Sequence, residues 1–198
     1  VELAQASMAD GKLRLEKVES LDKESRFDLL IEPIFPPATM LILGGGHIAM
    51  PLAAMAQMAG FEVTVIDDRP DFANRVRFPQ VREVICDDFS RALARFTITP
   101  STYVVIVTRG HRHDALCLRE VIGKPTAYLG MIGSRRRVSG VLKQLIEEGV
   151  DPLQVARVHA PIGLDIGAQT PGEIAVSILA EVICARRGGK TESMSGVK

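Results

Sequence analysis

Three consecutive glycines, Gly44-Gly45-Gly46, set between an apolar run and a helical pattern, constrain this chain more than any other feature in it. The stretch from Thr39 to Asp67 reads TMLILGGGHIAMPLAAMAQMAGFEVTVID. Met40 to Leu43 predicts a strand, helical spacing follows to Met58, Gly60 ends it, and a second apolar run closes on Asp67. Gly44, Gly46 and Ala49 fit G-x-G-x-x-G/A: one glycine for the tight turn, one for close backbone approach to a pyrophosphate, and a small residue where helix meets strand. Asp67 falls about 20 residues downstream, where a carboxylate can hold a ribose hydroxyl pair. Free N–H groups and the positive end of the helix dipole would hold the phosphate, with Gly45 and His47 in the same turn. Pro51 is tolerated because it lies in the first helical turn, where N–H groups lack intrahelical partners. The plainer alternative, glycines that only permit a tight strand-to-helix turn, stays open beside this one.

The remainder of the chain reads as repeated alternation. Arg82 to Cys86 predicts a third strand and Phe89 to Phe96 a short helix, after a polar loop broken by Pro70 and Pro79. Thr102 to Val107 has the pattern of a strand buried on both faces. Asp114 to Ile122 is predicted helical, Pro125 to Leu129 strand, Ser134 to Glu148 helical, Val155 to Ala160 a last short strand, and Pro171 to Arg187 a final helix. This implies an α/β fold, a doubly wound, mainly parallel, Rossmann-like sheet over residues 38–187. Before it, residues 1–37 read as an amino-terminal arm or the remnant of a preceding domain. It holds a weak helix at Val1 to Met8, strands near Leu13 to Val18 and Phe27 to Ile34, and a linker at Pro36-Pro37. After it, residues 188–198 read as a disordered tail.

Composition narrows the function classes. With 24 basic and 24 acidic residues the net charge is zero, which gives no global attraction to nucleic acid or to a membrane surface. No apolar run approaches the ~20 residues of a membrane span, and the start lacks the blocks of a signal peptide, so a cytoplasmic protein is expected. Cys86, Cys117 and Cys184 are odd in number and far apart, which predicts reduced core thiols.

In open parallel sheets ligands bind outside the carboxyl ends of the strands, so the segments after each strand carry the candidate chemistry. After the fourth strand come Arg109, His111, His113 and Asp114; after the fifth, Gly133, Ser134 and the triplet Arg135-Arg136-Arg137. Two histidines and an arginine beside a strand end form a local cationic site for phosphate, pterin or substrate, and a purely structural role for the histidine pair stays open beside it. Imidazoles two apart could ligate a metal with Asp114, but no second ligand cluster accompanies them, and no protein-ligated metal is expected. Asp114 and Ser134 also fit helix N-caps, and Thr170-Pro171 with Glu173 fits a capping box. Adjacent helical residues point different ways, so at most one or two of the three arginines can face inward. Arg69, next to Asp67, weakens the preference for an unphosphorylated ribose.

Taken together and in order, LILGGGHIAMPLA, VIDDRPDFA, VTRGHRHD, YLGMIGSRRR and HAPIGLDIGAQTPGEIAVSILAEV closely resemble the carboxy-terminal Rossmann domain of the XdhC/CoxI family, over roughly Phe35 to Arg187. These are accessory proteins for xanthine dehydrogenase and related molybdenum hydroxylases. The resemblance implies a maturation factor that binds molybdenum cofactor (molybdopterin), protects it while a terminal ligand is exchanged for sulfur, and passes it to the apo-hydroxylase. The implied partners are that apo-molybdenum hydroxylase and a cysteine desulfurase or sulfurtransferase, with a homodimer as a further expectation. Family members usually carry an amino-terminal domain with a glycine-cysteine motif; residues 1–37 contain no cysteine, so a separate chain would carry that part. The competing reading is an NAD(P)-dependent oxidoreductase using the same glycine turn and Asp67. A third is a protein that only docks, using the apolar face of the final helix.

Overall fold

The computed structural model describes residues 1–20 and 25–192; the side chains of Asp10, His111 and Arg112 lie outside the description. The chain divides into two compact units, Val1–Pro36 and Pro37–Lys198. The first holds α1 (Glu2–Asp10), β1 (Arg14–Glu19) and β2 (Arg26–Ile31). Gly11 ends α1 in the left-handed conformation at φ 69°, and β1 pairs antiparallel with β2, Arg14 opposite Ile31. Each of the three starts one residue away from its expected bound, and β2 ends three residues short of Ile34, as end positions commonly shift.

The second unit runs β3 (Thr39–Leu43), α2 (Ala49–Met58), β4 (Glu62–Asp67), β5 (Glu83–Cys86), α3 (Phe89–Arg95), β6 (Thr102–Ile106), α4 (His111–Val121), β7 (Tyr128–Met131), α5 (Arg135–Glu147), α6 (Pro152–Val155) and α7 (Pro171–Arg187). Its five strands are parallel in the order β5-β4-β3-β6-β7. Two crossover halves extend from a central β3, the arrangement that right-handed connections impose on alternating strands and helices. Side chains alternate between the faces: Met40 and Ile42 join Leu52, Ala53, Ile178 and Val182 in one core, and Leu41 and Leu43 join Leu93, Leu118, Val138 and Leu145 in the other. The helices α2 and α7 cover the first face; α3, α4 and α5 cover the second.

Three expectations fail here for identifiable reasons. No strand forms over 155–160. Asp151 caps the next turn by accepting from the Leu153 N–H at 2.9 Å, and Pro152 occupies the first helical position, so Val155 is drawn into α6. Only His159 meets the sheet, through a single bridge to Gly130. Asp114 is not a cap, because α4 starts earlier, at His111, with Gly110 before it. Of the cysteines only Cys117 is a core thiol; Cys86 is exposed and Cys184 half-buried. The capping box at Thr170 and Glu173 forms as the spacing requires. On α7, Ala175, Ile178, Leu179 and Val182 are buried against the core, which is packing and not a free docking face. The expected disordered tail falls partly on residues 193–198, outside the described residues.

Candidate functional site at the carboxyl edge of the sheet

The glycine turn does two different jobs. Gly44 sits at φ 107°, a conformation L side chains rarely adopt. A Cβ there would lie 2.7 Å from the Val107 carbonyl oxygen, and one on Gly45 would lie 2.3 Å from that of Phe72. Both positions are filled by the protein's own backbone. At Gly46 nothing lies within 4 Å of the Cβ position. The open face of the turn therefore begins at Gly46, continues to the exposed His47, and leads into α2, where Pro51 occupies the third helical position.

Asp67, at the end of β4, faces inward and is 1% exposed. Its Oδ2 accepts from the Gly45 N–H at 2.7 Å and from Arg69 Nη2 at 2.8 Å; its Oδ1 accepts from the Arg69 N–H at 3.0 Å and Arg69 Nε at 2.8 Å. Burial pushes this carboxyl up, but the Arg69 guanidinium and the two backbone N–H groups together hold it below the ordinary carboxylate value. Both oxygens are thus already engaged, so the ribose contact expected of Asp67 has no free acceptor in this arrangement. The 68–78 loop completes the clamp. Arg69 lies over the Phe72 ring at 3.7 Å and Arg77 at 5.0 Å, and Arg77 Nη2 donates to the Gly45 carbonyl at 3.2 Å. Arg77 Nε is buried with no hydrogen-bond partner among the described residues.

Beside Asp67, a recess of about 70 Å³ opens between the ends of β4 and β6, lined by Asp67, Asp68, Arg69, Thr108, Arg109 and His113, together with Phe89. The His113 ring meets Phe89 at 5.5 Å, tilted by 57°. Arg109 is exposed at the rim. Next to the recess lies a second buried carboxylate, one that the sequence marks as a cap or a metal ligand. Asp114, 0% exposed, instead accepts from Thr108 Oγ1 and from Arg137 Nη2. This joins β6, α4 and α5 in one network.

The structure therefore gathers Gly46, His47, Asp67, Arg69, Arg109 and His113 at one edge and separates them from others. His111 starts α4, but its side chain lies outside the described residues. Gly133, Ser134 and Arg135 do not line the recess. Ser134 caps α5 by accepting from the Arg137 N–H at 3.3 Å. Arg135 instead borders a shallow groove with Val138, Leu142 and Pro161. Arg137 is the inward member of the triplet. Its position was readable: Arg137, Val141 and Leu145 recur every four residues, and the latter two are core residues. Phe72 and Arg77 had no such periodic signal, because they sit in a loop.

Comparison with known proteins gives the chain a family. The XdhC Rossmann domain model matches residues 40–182. The uncharacterised protein YqeB of Escherichia coli K12 is 37% identical over 145 residues, covering 73% of this chain and 26% of YqeB. A Bacillus subtilis 168 protein described as a probable xanthine dehydrogenase component is 31% identical over 160 residues, covering 81% of this chain and 46% of that protein. A crystal structure described as a xanthine dehydrogenase from Bacillus halodurans superposes with a TM-score of 0.70 at 32% identity, over 85% of this chain and 47% of the other. The chain thus spans between about a quarter and a half of the length of these relatives. With a matching family model over most of its length, on a doubly wound parallel sheet, the chain belongs to the XdhC family and carries its Rossmann domain.

Proposed function

We propose that this chain is the cofactor-handling part of an accessory protein that matures a molybdenum hydroxylase of the xanthine dehydrogenase type. It would hold molybdenum cofactor, or a dinucleotide, at the carboxyl edge of the sheet and aid its insertion. Two relatives that carry xanthine dehydrogenase names support the pathway. The observation that carries the ligand half is the open face at Gly46, where the protein places nothing within 4 Å, at the entrance to α2. A phosphate oxygen seated there would meet unpaired first-turn N–H groups. Around it, Arg69, Arg109 and His113 supply cationic or donor groups, and the unspent Arg77 Nε is one more donor beside the turn. These groups bind and orient an anion; no proton transfer is needed for such a role. The engaged Asp67 weighs against a dedicated NAD(P) oxidoreductase, which relies on that carboxylate for its ribose.

The reading takes an apo-molybdenum hydroxylase as recipient and a cysteine desulfurase or sulfurtransferase as sulfur source, all in the cytoplasm, with the protein itself as a homodimer. Among the described residues no helix is long and apolar enough to cross a membrane. Calorimetry with molybdopterin, its cytidine dinucleotide form and NAD(P) tests the ligand half. Saturable heat with a pterin form, weakened about tenfold (~1.4 kcal/mol) by Arg109→Ala, is expected. Absence of heat with all three ligands would remove it.

A further inference from the structure

A second polar cavity lies away from the glycine turn, on the outer edge of the sheet beside the start of β7. It measures about 290 Å³, and its lining includes Lys124, Thr126, Tyr128, Gln154, Arg157 and His159. None of these residues takes part in the carboxyl-edge recess. Behind the cavity sits a built network. Glu181 on α7 accepts on Oε2 from the Tyr128 hydroxyl at 2.6 Å and from the Gly163 N–H at 2.7 Å. Its Oε1 faces His159 Nδ1 at 3.4 Å. The His159 ring stacks on Tyr128 with centroids 4.5 Å apart and an interplanar angle of 27°. Gly130 is needed for this arrangement, since a Cβ there would lie 2.7 Å from the Tyr128 hydroxyl.

The network dictates what His159 presents. The carboxylate facing Nδ1 occupies that nitrogen and leaves Nε2 for a guest in the cavity, where it donates to an anion when the ring carries both protons. The imidazole is held on two sides, by the Glu181 contact and by the Tyr128 stack, yet its side chain remains 42% exposed. Arg157 adds a planar fork suited to two oxygens at once. Lys124 spends one donor on the Leu93 carbonyl at 3.1 Å and keeps two more. Thr126 and Gln154 offer neutral donors. Three cationic or donor heads and two neutral ones around one space match a compact dianion better than a neutral guest.

We propose that this edge cavity is an anion site for a small phosphomonoester, with Arg157 and His159 as its recognition groups and Glu181 and Tyr128 as positioning residues. Carboxylates share part of this chemistry, so the test carries both. Calorimetry of the full chain with inorganic phosphate and with glycerol 3-phosphate gives saturable binding, and acetate binds at least about tenfold more weakly. In an Arg109→Ala background, which weakens the carboxyl-edge site, phosphate binding persists, and adding Arg157→Ala or His159→Gln weakens it about tenfold. Arg157 is exposed, so its variant keeps the fold; should His159→Gln melt early, the ring resonance assigned to His159, shifting on phosphate addition, reports the same contact. No saturable heat with phosphate in that background, acetate binding as tightly, or phosphate binding unmoved by both Arg157→Ala and His159→Gln would each overturn the assignment. Since Arg109 serves only the carboxyl-edge reading, failure of one site is distinguishable from failure of the other.

Discussion

Asp67 and Asp114 are both buried carboxylates at the same edge of the same sheet, yet they do opposite kinds of work. Asp67 takes its charged partner from close by, Arg69 two residues on, while the glycine turn 22 residues back supplies a backbone N–H. Asp114 takes its charged partner from far along the chain, Arg137 of α5, 23 residues on, while Thr108, six residues back just past β6, supplies a hydroxyl. The first shapes a loop and could rearrange with it. The second ties three elements together, so its loss opens the edge itself. A buried charge pair adds little over an apolar substitute, but breaking one partner away leaves an uncompensated charge.

The contrast is sharpest on deletion of the long-range carboxylate. Asp114→Ala strands Arg137, whose side chain is only 23% exposed, and should cost about 3–5 kcal/mol in urea denaturation. A loss under about 1 kcal/mol would mean that the network does not bear on stability. Next in size, Gly45→Ala forces a Cβ against the Phe72 carbonyl, which is backbone and cannot rotate away. About 1–3 kcal/mol of destabilisation is expected, with Gly46→Ala, where space is open, well below it. A reversed order would show the 68–78 loop to be loosely held. Asp67→Asn keeps the shape but replaces acceptor capacity with an amide that confronts Arg69, at a cost of about 1–3 kcal/mol.

The Asp67 carboxyl also has a pH signature. Its folded value lies below the ordinary carboxylate value, so its stabilising contribution is complete above that range, near pH 4, and is lost as pH falls through the lower folded value. The melting temperature should therefore fall more steeply below about pH 4 in the unaltered protein than in Asp67→Asn. Parallel curves would show that the carboxylate is no better held folded than unfolded. The smallest stability effect is expected at the rim: Arg109→Ala should stay within about 0.5 kcal/mol in denaturation.

The first unit shows how far composition alone can mislead. Its β2 carries Phe27, Leu29, Leu30 and Ile31, as apolar as many core strands, and is exposed over nearly its whole length. β3, of similar character, is almost wholly buried. Apolar runs announce a strand; the neighbours on both faces decide burial, and β3 has helices on each side while β2 has one paired strand.

Local pattern by itself determined the alternation of strands and helices, the strand-turn-helix at Gly44 to Met58, and the capping box that starts α7. These follow from interactions a few residues apart, which a linear reading captures. Only the tertiary structure decided the partners. Asp67 turned inward to the glycine turn, Arg137 and not Arg135 reached Asp114, Phe72 and Arg77 closed over Gly45, and His159 came to rest against Glu181. Each depends on residues far apart in the chain or set in an irregular loop, where no periodicity records which side chain will face which. Burial, which penalises any unpaired charge, makes that choice only once the sheet and its helices are assembled.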